Sequence, residues 1–333
     1  MASLTRELKK PDSPIARYMR DRFPNVRDLQ RRYAQATADL APIEPRPGAR
    51  IAYSTLGTAF DWQVRFLVHP APDLHLAFAG ARHGGEELVG LFGRLMAQVG
   101  GSLTPASRPG PVPLGPAAAV GGSRAGALDA ERLARACWTL ALFTEVYRSG
   151  LADGSPLDLL APAANLDELL TLAGDDEIAD MLALAAAARR VLVAALAARG
   201  GPVHVGPTFA GSADIAADLI AGGLLLELKV KLGDRGPDGR RRCSLARLTL
   251  YELLGYLLLD YHDAYRVEAL GVYSARYAHL ATWPLAELLG ALAGGPVDLA
   301  WARAEFREVV LATPNPPRDL RARMQAQRPR PAR

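Results

Sequence analysis

Cysteine is scarce. Cys137 and Cys243 are the only two in 333 residues, which supports neither a disulfide framework nor a zinc site. The six histidines, His69, His75, His83, His204, His262 and His279, show no ligand-pair spacing. Glycine is plentiful, yet there is no Walker-type phosphate loop and no Gly-x-Ser-x-Gly elbow. No uninterrupted apolar run reaches the ~18–20 residues of a membrane span. Met1 to Lys10 also lacks the apolar region of a signal peptide. A cytoplasmic protein with no membrane partner is the expectation. Lysine is the most telling shortage: four residues, Lys9, Lys10, Lys229 and Lys231, against 35 arginines.

Two of those lysines close the segment Gly211-Ser-Ala-Asp214-Ile-Ala-Ala-Asp218-Leu-Ile-Ala-Gly222-Gly223-Leu-Leu-Leu-Glu227-Leu-Lys229-Val-Lys231. Gly222-Gly223 between apolar runs predicts a two-residue hairpin turn. In that register Leu219 opposes Leu226, Asp218 opposes Glu227, and Asp214 opposes Lys231. Alternation then puts Ile215, Ala217 and Leu219 with Val230, Leu228 and Leu226 on an apolar face. Asp214, Asp218, Glu227, Lys229 and Lys231 fall on the other. Cβ atoms opposed at roughly 4.5–5.5 Å make Asp218 and Glu227 repel unless a cation sits between them. Lysine supplies a compact point charge there, where this chain otherwise uses arginine's broad fork.

Asp218, Glu227-Leu228-Lys229 and, downstream, Glu252-x-x-x-Tyr256 resemble the motifs of the PD-(D/E)xK nuclease superfamily, in particular its RecB-type members, over about residues 205–290. Glu252 stands where that pattern has Gln. The resemblance implies a mixed α/β, restriction-endonuclease-like core, a mixed sheet flanked by helices. It also implies Mg²⁺ or Mn²⁺ held by Asp218, Glu227 and the Leu228 carbonyl, with Lys229 as the catalytic cation, and cleavage of nucleic acid, with DNA favoured. Glu252 and Tyr256 share a helix face and would look onto the site. A carboxylate cannot donate to phosphate as Gln does, so Glu252 either joins the metal ligands or is a plain polar helix position; Arg247 is an alternative phosphate donor. The family's first helix often lends an acid, for which Glu145 and Asp180 are candidates, Glu145 also fitting an intrahelical pair with Arg148. Asp214 is either paired with Lys231 or, in another register, a ligand in place of Asp218. The same fold hosts inactive proteins, so a catalytically silent nucleic-acid-binding or assembly protein is the second expectation.

Elsewhere the chain divides into a mainly helical N-terminal region (1–103), a Gly/Pro/Ala-rich linker or long loop (104–126), the nuclease-like domain (127–312) and a basic tail (313–333) expected to be disordered. Helices are predicted over 14–41 with a break at Phe23-Pro24, and over 86–99, 128–148, 166–173, 176–199, 244–261 (Ser244 as cap) and 284–293. A strand is predicted over 265–273, and Ala59 to Arg65 lies in a stretch mixing strand-like and helical pieces. The Ala/Leu-rich helices could serve a homo-oligomer or a protein partner. Net charge is +4. Arg17, Arg20, Arg22, Arg27, Arg31, Arg32 and the tail arginines are clustered, and Arg240, Arg241 and Arg242 follow the Glu-x-Lys strand directly. Such clusters suit a phosphate backbone.

Overall fold

The structure is a computed structural model that describes residues 4–103, 112–113, 128–161, 163–210 and 212–313, with the backbone alone at 112–113 and 212–214. Six helices come first: α1 (Leu4–Leu8), α2 (Pro14–Arg22), α3 (Val26–Ala36), α4 (Tyr53–Val68), α5 (His75–His83) and α6 (Glu86–Val99). After β1 (Val112–Pro113) come α7 (Ala130–Ser149), α8 (Leu166–Leu170), α9 (Asp175–Ala188), a π-turn at Arg189–Val193 and α10 (Ala194–Arg199). The strands β2 (Pro202–Val205), β3 (Thr208–Phe209), β4 (Ser212–Ala216), β5 (Leu219–Ala221) and β6 (Leu224–Lys229) follow. Then come α11 (Arg247–Leu259), β7 (Ala269–Ser274), β8 (His279–Pro284), α12 (Leu285–Ala293) and α13 (Leu299–Leu311).

This is a mixed α/β protein. Its main sheet runs β2-β5-β6-β7-β8, extended at one edge by β1; β6 and β7 are parallel and the other neighbours antiparallel. The Gly222-Gly223 turn forms with φ of 49° and 75°, the double left-handed conformation that glycine adopts without penalty. Its register is the expected one, Leu219↔Leu226, Ile220↔Leu225 and Ala221↔Leu224. Crossing from β6 to a parallel β7 requires a connection over the sheet face, and α11 supplies it.

Both sheet faces are buried. Leu219, Leu224 and Leu226 join a core with α4 to α7, α9 and α10, while Ile220, Leu225, Leu270 and Val272 join a second core with α2, α3, α11 and α13. The expected boundary at residue 103 therefore does not separate two cores. Helices from residues 4–99 enter both. The Ala/Leu-rich helices α7 and α9 spend their buried side chains inside the first core. Asp175–Arg199 is the one stretch among the described residues long and apolar enough to cross a membrane, and its Met181, Leu184, Leu192 and Leu196 belong to that core.

Several expectations are corrected. Residues 59–65 lie inside the helix α4: Phe60, Trp62, Val64 and Phe66 alternate as in a strand because α4 is enclosed on nearly every side, which erases the amphipathic period. The helix expected from Ser244 begins at Arg247, with Ala246 at its cap position and no side-chain cap bond. The strand expected at 265–273 is Ala269–Ser274. The hairpin ladder ends at Leu219, because the chain before Asp218 folds away: Gly206 N–H donates to the Asp218 carbonyl (3.0 Å) and Ala217 N–H to the Pro207 carbonyl (3.0 Å). Residues 212–216 pair instead with β3 in a separate two-stranded sheet, so Asp214 does not oppose Lys231. Ile215 and Ala217 accordingly join the second core and not the face of Leu219. The 104–126 linker apart from β1, the tail beyond Thr313 and the Asp214 side chain lie outside the described residues.

Candidate active site

Asp218 sits one step past the last ladder pair of the hairpin, and its Oδ2 accepts a hydrogen bond from the Leu228 N–H at 2.7 Å. That bond crosses from one hairpin arm to the residue between Glu227 and Lys229. Alternation along β6 sends Leu224, Leu226 and Leu228 toward the first core, and Leu225, Glu227 and Lys229 toward α11. There Lys229 Nζ lies 2.6 Å from Glu227 Oε1 and 3.3 Å from Glu252 Oε2. Glu252 also accepts from the Thr5 hydroxyl at 2.7 Å, so α1 closes one side. Glu227 and Glu252 are only 7% and 5% exposed.

These residues floor a cleft of about 710 Å³. Tyr53, Ser54, Gly57, Thr58 and Asp61, all from α4, line one wall at helical spacing. Arg148, Lys231 and Arg241 add positive charge to the lining. Asp61 is the acid that motif reading misses. It is forked with Arg65, at 2.7 Å and 3.1 Å, and its charge acts on both Asp218 and Glu227.

Burial, then the charges of Glu227 and Asp61, push the Asp218 carboxyl well above the usual range. Glu227 is raised chiefly by burial, with Glu252 and Asp61 adding to it and Lys229 pulling the other way. Burial alone would lower Lys229; Glu227, Glu252 and Asp218 hold its ammonium above its ordinary value. The cluster is short of positive charge. Glu227 Oε2 is buried and makes no hydrogen bond, a costly state for a carboxylate oxygen. Among the described residues, no three Asp, Glu, His or Cys side chains are gathered as a ready-made metal cage.

The other candidates are spread out. Tyr256 is buried against Phe209, ring centroids 5.4 Å apart. It feels the acids: burial first, then Glu227, Asp218 and Glu252, raise its phenol well above normal. Glu145 accepts from Thr55 at 2.8 Å, a contact to α4 and not to the cleft lining. Asp180 makes a fully buried fork with Arg276. Within the basic loop, Arg235 and Arg241 lie 3.6 Å and 3.4 Å from Glu44, and Arg242 pairs with Asp238 at 2.9 Å. Gly233 begins this loop at φ 78°, where a Cβ would stand 2.1 Å from the Arg242 carbonyl, so the loop closes tightly on itself. Arg240 and Arg247 are exposed.

The chain matches no family model, and no curated protein or solved structure shows significant similarity to it.

Proposed function

We propose that this protein is a metal-dependent nuclease of the PD-(D/E)xK type, hydrolysing phosphodiester bonds in the cleft floored by Asp218, Glu227 and Lys229. The observation that carries the reading is the unpartnered, buried Glu227 Oε2 beside an Asp218 whose carboxyl is pushed up by its surroundings. Lys229 is engaged by Glu227 Oε1 and Glu252, and Arg65, which also acts on Asp218, is forked to Asp61, so a further cation suits both. Mg²⁺ or Mn²⁺ fits that donor set, because magnesium is commonly held by one or two carboxylates and keeps several waters, with no full protein cage required. Asp218, Glu227 and the Leu228 carbonyl would hold it, and Asp61 would add negative charge from α4. When bound, the ion supplies a Lewis acid toward the phosphate.

The chain's own groups do the remaining work. Lys229 donates to the oxygens that gain charge as water attacks phosphorus and the P–O ester bond breaks. Arg148 and Lys231 bind the flanking phosphates, and Glu252 holds Lys229 beside Glu227. The attacking water gives up its proton to solvent, and the leaving oxygen takes one from solvent at the cleft mouth.

A silent nucleic-acid-binding protein is the second reading. Its support is that Lys229 already bridges Glu227 and Glu252, a built-in counter-charge. Incubation of the purified protein with single- and double-stranded DNA and RNA in Mg²⁺, Mn²⁺ or EDTA decides between them. Cleavage that requires the metal supports the nuclease; binding without cleavage under every condition supports the silent binder.

A further inference from the structure

Few large apolar side chains are exposed among the described residues, and one of them, Tyr53, stands in the wall of the acidic cleft with 46% of its surface exposed. It is the first residue of α4, two turns before Asp61 on the same helix wall. The Arg276 guanidinium lies 5.8 Å from its ring centroid. That guanidinium cannot follow the ring if the ring moves. Arg276 is 0% exposed and held by the Asp180 carboxylate and by the carbonyls of Val230 (3.3 Å) and Ile43 (3.1 Å). Tyr53 is thus an aromatic plate with a fixed cation beside it, exposed at a cleft whose lining also carries Arg148, Lys231 and Arg241.

The depth of the acids adds a constraint. Glu227 and Glu252 are nearly inaccessible at the floor, and a cleft of about 710 Å³ is the size of a small-molecule pocket. A base paired inside a duplex cannot turn outward onto the Tyr53 ring. An unpaired strand can place its base on that aromatic face and its phosphates on the cations.

We infer that the cleft takes single-stranded nucleic acid, with Tyr53 stacking on an unpaired base next to the phosphate above Asp218 and Glu227. The inference rests on the phosphodiesterase reading of the cleft. Its test uses binding alone: the full-length protein in EDTA, titrated with a short single-stranded oligodeoxyribonucleotide carrying 2-aminopurine and with the corresponding duplex. The single strand should bind at least ~10-fold tighter, with quenching of 2-aminopurine. Tyr53→Ala should weaken single-strand binding roughly 5- to 150-fold, the worth of one base–aromatic stack, and abolish the quench. Tyr53→Phe should retain both. Duplex bound as tightly as single strand, or Tyr53→Ala binding and quenching like the parent, overturns the inference. Absence of metal-dependent cleavage alongside Tyr53-dependent stacking would instead overturn the nuclease reading and leave the stacking site standing.

Discussion

Asp218 Oδ2 and the Leu228 N–H, 2.7 Å apart, tie the first carboxylate of the site to the backbone that carries the second. An amide oxygen can keep this bond while losing the charge. Asp218→Asn should therefore leave the fold intact, abolish Mn²⁺ binding in calorimetry, and raise metal-free stability. Metal binding undiminished in Asp218→Asn would remove Asp218 from the ligand set.

The same raised carboxyls set a pH dependence. A carboxyl whose folded pKa lies above its unfolded value binds its proton more tightly in the folded state. Its stabilising contribution is complete below the ordinary carboxylate range and is lost as pH rises through the raised folded values of Asp218 and Glu227. In EDTA, thermal stability from this pair should fall across that window, and Asp218→Asn should flatten the fall. Mn²⁺, which binds the deprotonated form, should stabilise more at the upper end of the window than at the lower.

Lys229 separates chemistry from binding. Lys229→Ala should keep near-normal oligonucleotide affinity and lose at least ~10²-fold in cleavage rate. Lys229→Arg should be nearly as inactive, because a planar fork does not fit the compact position between Glu227 and Glu252. Full activity in the arginine variant would show that only the charge matters.

The basic loop divides into occupied and available cations. Arg235 and Arg241 face Glu44, and Arg242 faces Asp238, whereas Arg240 is exposed. Arg240→Ala should reduce the log–log salt slope of single-strand binding by roughly 0.7. Glu44→Gln should steepen it by freeing two guanidinium groups. A slope that ignores both variants would mean that the loop does not touch substrate.

Arg276 and Asp180 make a stability prediction independent of function. Asp180→Ala strands a guanidinium that is 0% exposed and should cost ~3–5 kcal/mol in denaturant unfolding. Asp180→Asn, which retains an acceptor, should cost less.

The hairpin was legible because its information is local. A Gly-Gly pair and two alternating runs fix which residues meet, and Asp218, Glu227 and Lys229 follow from that register. Helix Glu86–Val99 was equally plain, bounded by Gly85 and Gly100. Asp61 was not legible. It reaches the site through the packing of α4 on the sheet, and the apolar alternation around it imitates a strand. Glu145 fits a first-helix acid or an intrahelical pair with Arg148 on spacing alone, yet its partner is Thr55 on α4, which no spacing announces. Asp214 was misplaced because alternation was carried past Asp218, where the chain turns into a second small sheet.

Site assembly also has an order in time. Asp218, Leu228 and Glu227 come together by closing one short hairpin, an event of microseconds in general. Asp61, Thr5 and Glu252 arrive only when other helices dock, and the two acids among them add to the crowding that Asp218 and Glu227 already make. Asp61 can come that close because its charge is already forked to Arg65 within α4, so the helix docks with its acid held by a cation of its own.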